Sequence, residues 1–518
     1  MDNNNTIDNT DNNNTKSSNF HRALIFQGGG SLGAYEAGAY KAMSEGLSSF
    51  IKLNQGEKKD ESTTFHILSG TSIGAINAAI LVSYVKENRT WKGSDQRLID
   101  FWNYLSTRSN VESMNPYFAY NWDFWNRVGN RVASSESARR YYSTKEFIFR
   151  GVPNVFRPKI PKADDKFFDP SNTWYTFDNE PLKQSLEKFA KFPISTSFEN
   201  NEPRLLLVAM DIQEGVPVVF DSYEKEDGTR KSEYGRRYSE LEFDKLQEDY
   251  NKSEKRMYEH VIRYDDGITS DFVLASCSVP VNYDYTKLNV QDHKLISEES
   301  KYSSKNDKER SNKHSSYYSS TNNHYHYFWD GGLLANTPLR QTVIAHRDYW
   351  HRVRKMDDNL PSLTIGIINL HPLKQEYIPY DYDGVVDRKN DIMYHDRTEW
   401  DEYVAILISD VQKLASSLVK LAKDNGINEK SLQTILQKKI QTVTVNPGLS
   451  RYLQNNDLIK AIIDIDFIFR LERKNDEHTI SNKTFDFSET TIRQLVNDGY
   501  EETKLQIKLN SSDPINKY

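Results

Sequence analysis

The sequence predicts an α/β protein with a mainly parallel central sheet, and three observations carry that prediction. An apolar run from Arg22 to Gln27 ends at Gly28-Gly29-Gly30 and leads into a stretch rich in small apolar residues, Ser31 to Glu45. The same grammar then recurs. Thr64 to Ser69 reads as a strand, Gly70 to Gly74 as a turn, and Ala75 to Lys86 as a helix whose start is apolar on most sides. Further apolar runs at Arg204–Met210, Val216–Asp221, Tyr325–Trp329 and Leu363–Leu370 have the length of strands. Strand, glycine turn and helix in repetition is the order of a sheet joined by crossover helices.

Taken in order, residues 1–19 are almost all Asn, Asp, Thr and Ser; they cannot bury a core and are expected to be a disordered tail. The region 107–170 is rich in aromatics, Arg and Ser and has no clear period. The charged stretch 224–258 is expected to be helical in part. Residues 286–324, rich in Ser, Lys, Asn and His, read as a surface insertion with little order. After Leu370 the grammar changes. Pro372 to Thr398 reads as a polar connection, Trp400 to Lys423 as a long helix, Ala461 to Leu471 as a strand, and a last helix follows Ser488, a suitable N-cap. The expected division is a core domain over 20–375 and a C-terminal α+β extension over 376–518, packed on that core.

Composition narrows the function classes. The chain has 518 residues, 12% of them aromatic, which argues against wholesale disorder. The net charge of −7 lacks the basic footprint of a nucleic-acid binder. A single cysteine, Cys277, excludes an intrachain disulfide and a Cys-based zinc cluster. No apolar run approaches the about 18 residues that span a bilayer. The N-terminus lacks a secretory pattern, so the expected compartment is the cytoplasm, with membrane contact peripheral if present.

Three motifs carry chemistry. Gly70-Thr71-Ser72-Ile73-Gly74 is a G-x-S-x-G sequence between a strand and an apolar helix, the setting in which a tight turn exposes a serine hydroxyl. Gly28-Gly29-Gly30-Ser31-Leu32-Gly33 offers bare backbone N–H groups at a helix start, suited to an oxyanion or a phosphate. It also satisfies G-x-G-x-x-G. The polar, irregular stretch from Phe50 to Glu61 fits poorly with the acidic strand end that a dinucleotide fold needs. Asp330-Gly331-Gly332 follows an apolar strand, unlike the other Asp-Gly pairs, and its carboxylate can serve as a base. His346, His351, His371 and His395 lie downstream of Asp330, so a Ser–acid–His order is available; His371 reads as an exposed loop residue.

These motifs, in this order, resemble the patatin-like phospholipase family. The likeness extends through Gln27 to Gly38, Gly70 to Ala79, Ala275-Ser276-Cys277-Ser278-Val279-Pro280 and Asp330 to Pro338. Phe485-Asp-Phe-Ser488 and its helix resemble the C-terminal extension of one branch. The resemblance implies a three-layer α/β/α fold and a serine lipid acyl hydrolase of phospholipase A or esterase type. Ser72 would be the nucleophile and Asp330 its base. The backbone N–H groups of Gly28, Gly29 and Gly30, with Ile73 as an extra donor, would form the oxyanion hole. Gly33, Gly70, Gly74, Gly331 and Gly332 would support the turns. No metal and no organic cofactor is expected; the expected partner is a lipid or acyl-ester substrate, its acyl chain lined by residues from 107–170. Many patatins carry Arg or Lys where Leu32 stands here, which weakens the case for anionic head groups. The alternatives are a histidine-dependent esterase of α/β-hydrolase type, a non-catalytic lipid- or partner-binding scaffold, and a nucleotide-binding module.

Overall fold

The computed structural model describes residues 20–51, 65–109, 135–159, 174–234, 238–240, 256–295, 320–356, 360–375, 378–436, 465–474 and 480–512. The expected tail over 1–19 lies outside them, as do 110–134 and 160–173 of the aromatic-rich region and 296–319 of the expected insertion.

The elements that position the site are, in chain order, β1 (Phe20–Phe26), α1 (Gly33–Ile51), β2 (Ile67–Thr71), α2 (Ile73–Asn88), α3 (Ser94–Leu105), α4 (Ser135–Arg150), α5 (Glu180–Phe189), β3 (Arg204–Asp211), β4 (Val216–Asp221), β5 (Arg256–Val261), α6 (Ser270–Ala275), β6 (Thr286–Leu295), β7 (Ser320–Asp330), α7 (Leu339–Asp348), β8 (Ser362–Asn369), α8 (Tyr382–Tyr394), α9 (Glu399–Asp424), β9 (Ile465–Glu472) and α10 (Glu489–Ser512). The central sheet runs β9-β8-β1-β2-β3-β7-β6-β5. It is parallel from β9 to β3. Beyond β3 it is antiparallel, through β7, β6 and β5, and β4 also returns antiparallel along β3.

Burial on both sides makes the parallel part a middle layer. Along β1, Leu24 and Phe26 pack into one apolar cluster with residues of α1, α2, α3 and α10. Ala23 and Ile25 point into a second cluster with Leu339, Ala345 and Trp350. All four are at most 1% exposed. Alternate residues therefore face two different helical layers, as the near-continuous apolar reading of these strands requires. The α/β class and the three layers stand.

Several elements differ from the sequence reading. The described parts of 224–258 are strand and turn, not helix; β5 and the short strand Tyr238–Glu240 pair there. The expected insertion begins and ends as strands, because β6 and β7 pair with each other over most of their described length. Within Pro372–Thr398, α8 replaces the expected connection. The long helix α9 is present, but its apolar residues Leu407, Val411, Leu414, Leu418 and Leu421 are exposed among the described residues.

The extension meets the core most closely where α10 crosses α1. A Cβ on Gly38 would lie 1.9 Å from the Val496 carbonyl oxygen, and one on Gly499 would lie 2.1 Å from that of Tyr35. The two backbones touch directly, which no side chain at either position permits.

Candidate active site

Ser72 sits between β2 and α2 with φ 57° and ψ −128°, a conformation that is strained for any residue bearing a Cβ. The surroundings hold it. A Cβ on Gly70 would lie 2.3 Å from the Gly74 carbonyl oxygen, and one on Gly74 would lie 2.5 Å from that of Phe26. The turn thus folds against itself and against β1, and the two fixed glycines of the motif are the points of contact. The Ser72 N–H donates to Ser276 Oγ at 2.9 Å, and that hydroxyl donates to the Val208 carbonyl at 2.6 Å. The Ser72 carbonyl accepts from the N–H of Ala75 at 2.9 Å and from the Cys277 thiol at 3.2 Å.

Asp330 reaches the same place from the other side. In register it stands opposite Ala209 of β3, while Val208 stands opposite Thr71 of β2. The nucleophile turn and the aspartate are therefore one strand apart at almost the same height. The Asp330 N–H donates to the Ser278 carbonyl at 2.9 Å, and the Gly332 N–H donates to Asp330 Oδ1 at 2.7 Å. The Ser72 hydroxyl lies close enough to the Asp330 carboxyl to pull its pKa down. Burial pushes this carboxyl up from 3.8 to about 6, against the pull of the Ser72 hydroxyl and of the Gly332 N–H. Such a group is mostly ionised at neutral pH yet basic enough to accept a proton. Gly331 passes so close to β3 that a Cβ there would lie 2.3 Å from the Val208 carbonyl oxygen.

The glycine loop abuts the nucleophile: a Cβ on Gly28 would lie 3.0 Å from that of Ser72. One expected donor is otherwise engaged, since the Gly28 N–H donates to the Asn336 carbonyl at 3.3 Å. The N–H groups of Gly29, Gly30 and Ile73 make no hydrogen bond among the described residues. Gly30 has φ 58° and packs on Thr484, while Gly33 packs on Ile73 and Trp102. Gln27 and Asn336 tie the loop down. Gln27 Oε1 accepts from the N–H groups of Leu370 and His371, and Asn336 Nδ2 donates to the Gly28 carbonyl.

Beneath the loop lies a buried polar chain that the sequence reading did not single out. Asn77 Nδ2 donates to Glu36 Oε2 at 2.8 Å, and Asn77 Oδ1 accepts from Trp102 Nε1 at 3.1 Å. Burial raises the Glu36 carboxyl well above its ordinary range. Glu36 and Asn77 stand in the first two sequence blocks, so they join the glycine loop's helix to the nucleophile's helix. Ser276 stands in the Ala275–Pro280 block, and nothing in the local pattern marks its hydroxyl as the partner of the Ser72 N–H.

A cavity of about 320 Å³ opens over Ser72, Asp330 and the glycine loop. Ile76, Val155, Leu182, Val279, Phe485 and Phe487 supply its apolar wall. Of the region 107–170, expected to line an acyl chain, only Val155 does so among the described residues. Much of the wall comes instead from the extension, through α8 and the segment Ser481–Phe487. His371 also lines the cavity and is buried, not exposed as its sequence context predicts. Its Nδ1 pairs with Asp391 at 3.2 Å, and burial lowers its pKa. Lys483 Nζ donates to both Asp391 oxygens, at 2.7 and 2.8 Å, and lies 3.1 Å from Asp387 Oδ1. A cation thus stands in the cavity wall although Leu32 supplies none.

The site thus joins a strained serine at a strand–helix turn, a buried carboxylate on the same cavity and glycine-loop N–H groups alongside, within an α/β fold. The patatin-like phospholipase family profile matches residues 24–343, and the chain belongs to that family. Among solved structures, VipD from Legionella pneumophila is similar over 94% of this chain and 67% of that one, at 12% identity and a TM-score of 0.27. Comparison with curated proteins found no match. Membership supports lipid acyl hydrolase activity in general terms. Among the described residues, no helix is long and apolar enough to cross a membrane.

Proposed function

We propose that this protein is a phospholipase A- or esterase-type hydrolase working through a Ser72–Asp330 dyad. Ser72 Oγ attacks the ester carbonyl as Asp330 takes its proton, and the alcohol leaves with that proton. The oxyanion forms against the N–H groups of Gly29 and Gly30 in the glycine loop and of Ile73 at the N-terminus of α2, where partial positive charge collects. Water, deprotonated by Asp330, then hydrolyses the acyl-enzyme. The reaction itself uses no metal or organic cofactor. The observation that carries this reading is that Ser72 and the buried Asp330 line one cavity, with the Ser72 hydroxyl close enough to pull down the pKa of the Asp330 carboxyl.

The apolar side of the cavity suits an acyl chain. Leu333, on the cavity wall, is 39% exposed, and its neighbour Leu334 and Val281, which follows the wall residue Pro280, are exposed as well. These residues make a rim that fits aggregated lipid better than a dissolved ester. The chemistry lies in 20–375 and the extension over 376–518 completes the wall, in a protein we place in the cytoplasm. The test is hydrolysis of short-chain esters and phospholipid vesicles, with covalent labelling by a fluorophosphonate probe. Wild type should turn over and label at Ser72; Ser72→Ala and Asp330→Asn should do neither at a comparable rate. A folded wild type that neither labels nor hydrolyses sinks the proposal and leaves a binding scaffold.

The His371–Asp391 pair on the same cavity favours a second reading, a histidine-assisted esterase. His371→Asn separates the two: the dyad reading has it alter KM and leave the fast labelling of Ser72, whereas the histidine reading has it abolish labelling.

A further inference from the structure

A second cluster of chemically capable side chains lies in the antiparallel part of the sheet, away from the cavity. A ring nitrogen of His260 on β5, a ring nitrogen of His326 on β7 and a carboxylate oxygen of Glu214, in the turn after β3, all lie within 4.8 Å of one another. The two strands are separated by β6 in the sheet order, so it is the curl of the sheet that brings the rings to a centroid distance of 5.1 Å. His260 Nε2 lies 3.3 Å from Glu214 Oε1. Two ligands on a tetrahedral zinc ion, each about 2.0–2.1 Å from the metal, are about 3.4 Å apart. This pair already stands at that spacing.

A buried carboxylate stands behind one of the two histidines. Asp211, which is fully buried, holds His326 Nδ1 at 2.5 Å. It also accepts from the Tyr234 hydroxyl at 3.0 Å, and its other oxygen accepts from the N–H groups of Gln213 and Glu214. A carboxylate behind a metal-ligating histidine fixes its tautomer and ring orientation. The same carboxylate orients the turn that carries Glu214. His326 is nearly buried, His260 is 12% exposed and Glu214 24% exposed in their side chains, so the open side of the cluster reaches water.

We propose that His260, His326 and Glu214 bind one zinc-type divalent transition-metal ion, with Asp211 as the positioning residue and water completing the shell. The two imidazoles bind as neutral ligands, and the two carboxylates balance the charge of the ion. Bound there, the ion ties together β5, β7 and the turn after β3. Since β7 ends on Asp330, the site anchors the strand that delivers the carboxylate of the dyad.

The test uses the full chain, stripped with a chelator and titrated with Zn²⁺ against a chromophoric competitor, with Co²⁺ absorption as a direct spectroscopic readout. One ion per chain is expected, with a rise in thermal unfolding temperature. Glu214→Gln, at a partly exposed turn where the fold is least at risk, and His260→Ala should abolish the Co²⁺ spectrum. Asp211→Asn should weaken Zn²⁺ by about 10- to 100-fold, the usual effect of losing a carboxylate behind a histidine ligand. His371→Asn, in the other histidine–aspartate pair, should leave binding intact. Absence of binding at micromolar Zn²⁺, or binding that Glu214→Gln and His260→Ala leave unchanged in folded protein, overturns the proposal.

Discussion

Replacing Asp330 by Asn should make the protein more stable at neutral and alkaline pH while removing its proposed activity. The magnitude follows from the carboxyl's position. Burial raises its pKa from 3.8 to about 6, a little over two units. At 1.36 kcal/mol per unit, ionised Asp330 opposes folding by about 3 kcal/mol. The sign is that of a carboxyl that binds its proton more tightly folded than unfolded. The penalty is fully present above about pH 6 and disappears as the pH falls below about 4. Asn keeps an oxygen for the Gly332 N–H and carries no charge, so up to about 3 kcal/mol should be recovered, less whatever its amide group leaves unpaired. Urea unfolding of wild type and Asp330→Asn at about pH 8 and about pH 4 reads the difference directly. The gap should be wide at the higher pH and close at the lower, while ester turnover falls by about 10²–10⁴. A variant less stable than wild type at pH 8, or a gap that does not move with pH, refutes the desolvation argument.

Four further outcomes follow from the same geometry. The kcat/KM profile should lose about tenfold per unit below about pH 6, because only ionised Asp330 accepts the Ser72 proton; a flat profile down to pH 5 points to a different base. Ser276→Ala removes the acceptor for the Ser72 N–H and should lower kcat by about tenfold or more in folded protein, read by steady-state kinetics beside circular dichroism. Gly499→Ala forces α10 off α1 and should lower stability by about 1–3 kcal/mol in a urea titration. Glu36→Gln keeps the shape and the acceptor for Asn77 and removes a charge that burial disfavours, so stability at neutral pH should not fall, whereas Glu36→Ala should cost about 1–3 kcal/mol.

What could be read from the sequence was what local chemistry dictates. The two strand–glycine–helix units were legible because their glycines mark real backbone contacts, at Gly70, Gly74 and Gly28. Asp330 was legible because it alone among the Asp-Gly pairs closes an apolar strand. The cavity wall was not. Helix α8 buries Asp387 and Asp391, one turn apart, against Lys483 and exposes Val385, Ile392 and Met393. Its polarity is inverted relative to an ordinary amphipathic helix, so an apolar stripe could not reveal it. His371 looked like a loop residue for the same reason: Asp391, which holds it, is set in place by an element that the pattern hides. Gly28 was legible as a loop glycine but not as an engaged donor, because its partner, the Asn336 carbonyl, is more than 300 residues away. His260 and Glu214 carry no motif, and only the curl of the sheet brings them to His326.

The direct crossing of α10 on α1 also has a meaning in time. During synthesis the strand–serine–helix unit leaves the ribosome early, while Ser481–Phe487 and α10 come some 400 residues later. At about 5–20 residues per second, that interval is roughly 20–80 s. For that period the nascent chain holds its serine without the far wall of the cavity and without the helix that seats against Tyr35 and Gly38. A chain assembled in this order completes the far wall of its cavity long after the serine turn, so the half-made chain carries that serine without the enclosure the finished fold builds around it.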